Sequence, residues 1–229
     1  MFKPLQQNNT GKDYFVGDIH GCHTTLMDKL TSIKFDFEKD RLISVGDLID
    51  RGPKSYDCLK LISEPWFHAV LGNHEDMMIK SYEGNWSIHN YSRNGGDWFL
   101  SLSDEDKSHA VALAKQLPTF IEVDFGDRKI GVLHADAVQS EWDFYRNSST
   151  ENLSPYELEQ CIWGRNRIYS NDNSVVKNIA AIVVGHTPLN QVDVLGNVVY
   201  IDTGAVFGNG LTVVDSDKIF SLVNNYEQA

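Results

Sequence analysis

Six short motifs gather ligand-type side chains: GDIHG at 17–21, GDLIDRG at 46–52, GNHE at 72–75, HAD at 134–136, GHT at 185–187 and DTG at 202–204. They supply a candidate donor set of Asp18, His20, Asp47, Asn73, His134 and His186, which offers carboxylate, amide and imidazole but no thiolate. That mixture suits divalent manganese, iron or zinc better than calcium, which prefers oxygen throughout, or soft metals, which prefer sulfur. Six donors are too many for one zinc; they suit two ions about 3.5–4 Å apart that share a carboxylate and a water. The expected division gives Asp18, His20 and Asp47 to one ion and Asp47, Asn73, His134 and His186 to the other. A single histidine at a strand end is more often a hydrogen-bonded structural group, and glycine–aspartate alone commonly marks a turn. The weight lies in the ordered combination: four of the 8 histidines fall in these motifs, while His23, His68, His89 and His109 are read as structural.

The elements that must carry these motifs are apolar runs of strand length at Tyr14 to Val16, Leu42 to Val45, Ala69 to Leu71, Ile130 to Leu133, Ala180 to Val184 and Val198 to Ile201. Ligands in open α/β sheets bind beyond the carboxyl ends of the strands, so these ends can share one site. Helical patterns lie between: Leu26, Leu30 and Ile33; Leu59 and Ile62 after Pro53; a segment opened by Ser103 and stopped by Pro118; and a capping box at Ser154, Pro155 and Glu157 leading to Trp163. Beyond Val192 the pattern reads as strand throughout, with hairpin turns at Gly196-Asn197 and at Ser216 to Lys218. Residues 1–12 read as a polar lead-in to a single domain spanning 1–229, a mixed α/β sandwich.

Composition narrows the function. Size scaling for 229 residues gives burial of roughly 72% of the unfolded surface, enough for one sizeable core. Twenty Lys and Arg against 32 Asp and Glu leave a net charge of −12, which disfavours nucleic acid and anionic membrane as partners. The 3 cysteines, Cys22, Cys58 and Cys161, form no C-x-x-C pair, and the N-terminal stretch has no apolar segment of signal-peptide length. A reducing, cytoplasmic location is expected.

GDIHG, GDLIDRGP, GNHE, the histidine of VLHAD, and VVGHT resemble the calcineurin-like metallophosphoesterase core of the phosphoprotein phosphatases; WGRNR at 163–167 and YIDTGAVF at 200–207 resemble its compact bacterial and bacteriophage branch. The resemblance implies a mixed β-sandwich of two sheets flanked by α-helices, a dinuclear centre of manganese type (iron and zinc being the alternatives), and hydrolysis of phosphoserine, phosphothreonine and often phosphotyrosine in proteins or peptides. Chemistry adds roles to further residues. Arg51 and Arg165 can each present a planar fork to phosphate oxygens, beside the ligand Asn73; Arg167 competes with Arg165, and the choice follows the family pattern. A water acidified between two ions would attack phosphorus directly as hydroxide, while His74, oriented by Asp50, protonates the leaving alkoxide.

The main rival is a symmetrical dinucleoside tetraphosphatase, which shares these motifs but typically has alanine at the place of Asp50. A nuclease or phosphodiesterase sits poorly with the acidic charge and with Arg51. Asp202 is expected to hydrogen-bond a ligand histidine. Asp136 replaces the glycine common elsewhere in the family. The segment 83–97, with Trp86, Tyr91 and Gly95-Gly96, reads as a loop near the cleft.

Overall fold

The computed structural model describes residues 2–147 and 153–227. In chain order its elements are β1 (Phe2–Leu5), β2 (Asp13–Val16), α1 (His23–Ser32), β3 (Arg41–Ser44), α2 (Ser55–Lys60), β4 (Phe67–Ala69), α3 (Asn73–Tyr82), α4 (Ile88–Tyr91), α5 (Asp97–Leu100) and α6 (Asp104–Ala114). There follow β5 (Phe120–Asp124), β6 (Lys129–Val132), α7 (Asp143–Arg146), α8 (Pro155–Trp163), α9 (Asn166–Ser170), β7 (Ala181–Val184), β8 (Asp193–Leu195), β9 (Val198–Tyr200), β10 (Val213–Asp215) and α10 (Ser216–Glu227). A six-stranded sheet runs β1-β5-β6-β7-β9-β8 and a four-stranded sheet β10-β2-β3-β4.

The two-residue period of the strands sorts their apolar side chains into layers. On β2, Phe15 points inward with Ile43 and Val45, where it meets Val123, Ile130, Val132 and Val183 of the six-stranded sheet. Its neighbours Tyr14 and Val16 point outward onto Leu26 and Leu30 of α1, Leu59 of α2 and Met77 and Met78 of α3. On β7, Val183 faces the same inner layer while Ile182 and Val184 face Trp142, Tyr145 and Cys161 on the opposite flank. Two sheets packed face to face with helices on both outer surfaces are therefore what the alternation of these strands requires.

Three expectations are corrected. The lead-in contains β1, which pairs in parallel with β5 from Phe2↔Phe120 to Leu5↔Val123. Ser216 to Lys218 is not a hairpin turn but the first turn of α10, so the chain after Val192 is not strand throughout. The helix signal was present: Asp215 Oδ1 accepts from Lys218 N at 2.9 Å, and Ile219, Phe220 and Val223 recur at helical spacing to close the inner layer. Residues 83–97 are largely helical, with α4 and α5 joined by an irregular turn at Ser92–Gly96. The other end signals hold: Ser103 caps α6, Ser154 and Glu157 form a capping box on α8, and Gly196-Asn197 turns β8 into β9.

Candidate metal and phosphate site

Strands β2, β3 and β4 run parallel in one sheet, and β6 and β7 run parallel in the other, so each sheet gathers its carboxyl ends at a common edge. Asp18 and His20 follow β2, Asp47 follows β3, Asn73 opens α3 after β4, and His134 and His186 follow β6 and β7. All six are buried, between 0% and 6% exposed. Close packing at this edge demands glycine: a Cβ at Gly185 would stand 2.1 Å from Asp18 Oδ1. Five non-glycine residues here adopt positive φ: His20 at 43°, Asp47 at 50°, Asp50 at 72°, Arg51 at 67° and His186 at 66°. Strain of order 1 kcal/mol or more at each is held by the surrounding hydrogen bonds.

The tautomers follow from backbone carbonyls, which only accept. His20 Nδ1 donates to Ile49 O at 2.8 Å and His134 Nδ1 to Val45 O at 2.7 Å, so both rings turn Nε2 inward. His186 Nε2 donates to Trp163 O at 3.2 Å and turns a bare Nδ1 inward. Asn73 Oδ1, itself an acceptor, lies 2.9 Å from His134 Nε2 and 2.8 Å from His186 Nδ1. Asp47 Oδ1 is 3.4 Å from His134 Nε2, and its Oδ2 is 3.6 Å from His20 Nε2. Nitrogen and oxygen groups thus converge around Asp47 and Asn73, a mixture of donors that a divalent cation can use. Burial holds the His20 and His186 imidazoles down at about 3, so both are neutral near neutral pH.

Two groups of three bring their donor atoms within 4.8 Å of one another: His20, Asp47 and His74, and Asp47, His134 and His186. Asp47 belongs to both. Asp18 stands outside them, with both oxygens accepting from His186 N at 3.1 Å. Burial first, then the nearby Asp202 and Asp47 carboxylates, raises the Asp18 carboxyl well above its usual range. Asp202, expected to bond a ligand histidine, instead accepts from Gly204 N at 2.8 Å and lies beside Asp18. Three carboxylates in one buried pocket again fit positive charge.

Around this cluster, His74 Nδ1 donates to Asp50 Oδ2 at 2.6 Å, and His74 Nε2 is 3.9 Å from Asp47 Oδ2. Arg51 Nη1 lies 2.6 Å from His20 Nε2, with its guanidinium 5.6 Å from the Phe207 ring. Arg165 Nη2 donates to His186 O at 3.2 Å, whereas Arg167 turns to its own loop, donating to Asp172 O and Ser174 O. Asp136 Oδ2 accepts from Asn166 N and Arg167 N, tying the His134 strand end to the Arg165 loop.

Sequence reasoning missed several supports. Glu75 is fully buried and accepts from Gly72 N, Asp47 N, Leu48 N and Ile49 N at 2.8–3.3 Å; its place in GNHE was the available signal. Tyr91 and Trp98 both donate to Asp50 Oδ1. Of the histidines read as structural, His109 meets Tyr56, His68 meets Lys3, and His23 and His89 lie outside both groups of three.

Residues 14–214 match the model of the calcineurin-like phosphoesterases. Serine/threonine-protein phosphatase 1 of Salmonella typhimurium is 38% identical over 216 residues, covering 93% of this chain and 95% of that protein. A symmetrical bis(5'-nucleosyl)-tetraphosphatase of Buchnera aphidicola is 37% identical over 132 residues, but covers 57% of this chain and 45% of that protein. Among solved structures, a cold-active protein-tyrosine phosphatase from a psychrophilic Shewanella shares the fold, with a TM-score of 0.60 at 17% identity over 94% of this chain and 77% of that one. The family and the converging donors together support a dinuclear divalent metal centre. By the match along 14–214, the chain is a member of the calcineurin-like phosphoesterase family.

Proposed function

We propose that this chain is a metal-dependent protein phosphatase that hydrolyses phosphoserine and phosphothreonine monoesters, and phosphotyrosine as a further substrate, in proteins or peptides. The observation that carries the reading is the His74–Asp50 pair, joined at 2.6 Å at the edge of the acceptor cluster. An alkoxide leaving from phosphoserine needs a proton, and this imidazole is held where it can supply one. In this reading Asp18, His20 and Asp47 hold one ion, Asp47, Asn73, His134 and His186 hold the other, and manganese suits the mixed nitrogen and oxygen donors. When bound, the ions would neutralise the buried carboxylates, draw in the phosphate dianion and acidify the attacking water.

The chain's own residues do the rest. Arg51 and Arg165 orient the phosphate by paired N–H donors; Asp50 keeps Nδ1 of His74 engaged so that Nε2 faces the leaving oxygen. Glu75 accepts from the backbone on either side of the Asp47–Leu48 bond and so fixes the turn that presents Asp47. The unpaired Cys22, Cys58 and Cys161 suit a reducing compartment, and we place the enzyme in the cytoplasm; among the described residues no helix is long and apolar enough to cross a membrane.

The deciding experiment compares manganese-loaded protein on matched phosphoserine, phosphothreonine and phosphotyrosine peptides, diadenosine tetraphosphate and bis-p-nitrophenyl phosphate. The highest kcat/KM is expected on the phosphopeptides. Preferred cleavage of the dinucleotide would replace this reading with that of a symmetrical dinucleoside tetraphosphatase.

A further inference from the structure

Asp50 is 0% exposed, and its carboxylate is engaged at both oxygens. Oδ2 accepts from His74 Nδ1 at 2.6 Å, while Oδ1 accepts from the Tyr91 hydroxyl at 2.9 Å and from Trp98 Nε1 at 2.7 Å. Tyr91 ends α4, inside the 83–97 segment expected to be a loop, and Trp98 lies in α5, just beyond it. We propose that Tyr91 and Trp98 are positioning residues for proton delivery to the leaving group, acting through Asp50 on His74.

A carboxylate gripped at one oxygen can still swivel about its Cβ–Cγ bond. Two donors on the other oxygen fix its plane, which keeps the Oδ2 lone pair on His74 Nδ1 and the ring's Nε2 aimed at the cluster. Both donors arrive on rigid aromatic groups: Tyr91 is fully buried, and its ring packs edge-on against Phe99, which in turn meets Trp98. The same segment braces the phosphate clamp. Gly95, at φ 101°, accepts from Arg51 N through its carbonyl at 3.3 Å, and a Cβ there would stand 2.5 Å from Arg51 N. The segment from α4 to α5 therefore sets the orientation of the acid and supports the backbone of the anion-binding arginine.

This inference rests on His74 being the leaving-group acid. The test measures kcat and KM for the manganese-loaded wild type, Tyr91→Phe, Trp98→Phe and His74→Asn on a phosphoserine peptide and on p-nitrophenyl phosphate, whose phenolate leaves without help. Tyr91→Phe and Trp98→Phe should each lower kcat on the peptide roughly ten- to thirtyfold, the scale of one hydrogen bond to a charged group. The loss on p-nitrophenyl phosphate should be at least fivefold smaller, with KM for both substrates within twofold of wild type. In the His74→Asn background, Tyr91→Phe should add nothing on the peptide. Equal losses on both substrates, or no loss on either, would overturn the positioning role. If His74→Asn itself lost both activities equally, the acid assignment would fall instead. Trp98 is half-buried, so Trp98→Phe decides the matter should Tyr91→Phe not fold.

Discussion

Arg51 Nη1 rests 2.6 Å from His20 Nε2. Because a guanidinium only donates, that contact uses the lone pair His20 would offer to a metal ion, and occupation of the site requires the arginine to swing away, where it is free to grip phosphate. Arg51→Ala should therefore leave metal affinity equal or higher while raising KM for a phosphopeptide about tenfold or more. Calorimetric metal titration alongside steady-state kinetics checks both halves; weakened metal binding would contradict the competition.

On the proposed reading, His74→Asn removes the proton donor while keeping the neighbouring Asn73. Its kcat on phosphoserine peptides should fall roughly a hundredfold to ten-thousandfold, and far less on p-nitrophenyl phosphate. Matched losses on the two substrates would count against general acid catalysis.

Chelation should abolish activity and destabilise the fold together, since an ion bound only by the folded chain stabilises it by mass action. Against protein in manganese at about a thousandfold excess over Kd, the form stripped of two ions should melt about 15–30 °C lower. Scanning calorimetry before and after adding back the metal measures this. Identical melting temperatures would argue that no ion is bound.

A pH effect should arise far from the centre. Lys3 Nζ of β1 lies 3.4 Å from His68 Nδ1 of β4, and burial first, then Lys3 and Arg41, lowers the His68 imidazole to about 4. The unfolded ring takes its proton near 6.5, so between 6.5 and 4 the unfolded chain binds more protons than the folded one. Stability from this group is present above 6.5 and drains away as the pH falls through that window. His68→Gln should flatten the dependence in urea denaturation at pH 7 and pH 5, and an unchanged slope would remove His68 as its source.

Much of the site was readable because it is written locally. Gly17–Asp18, Gly46–Asp47 and Gly185–His186 each sit where an apolar run stops, and the fold brings these strand ends together around Asp47 and Asn73. Tyr91 and Trp98 gave no such sign, since their partner Asp50 lies 41 and 48 residues away and the contact exists only after α4 and α5 pack. The fold divides in the same manner. Alternation in β2 and β7 announced two-faced burial, but β1 reads as polar because Lys3 and Pro4 are exposed, and it is a strand only because β5 offers an open edge. In α10 the helical spacing was present, but a turn reading of Ser216 to Lys218 displaced it.

The six donors are split between the layers, with Asp18, His20, Asp47 and Asn73 carried by the four-stranded sheet and His134 and His186 by the six-stranded one. The ligands proposed for the first ion all lie in the four-stranded half, whereas the second would be held by Asp47 and Asn73 from that half and by His134 and His186 from the other. That second ion would act as a rivet, and recovery of catalysis after dilution from denaturant should lag behind recovery of circular dichroism by the time the two halves take to clasp.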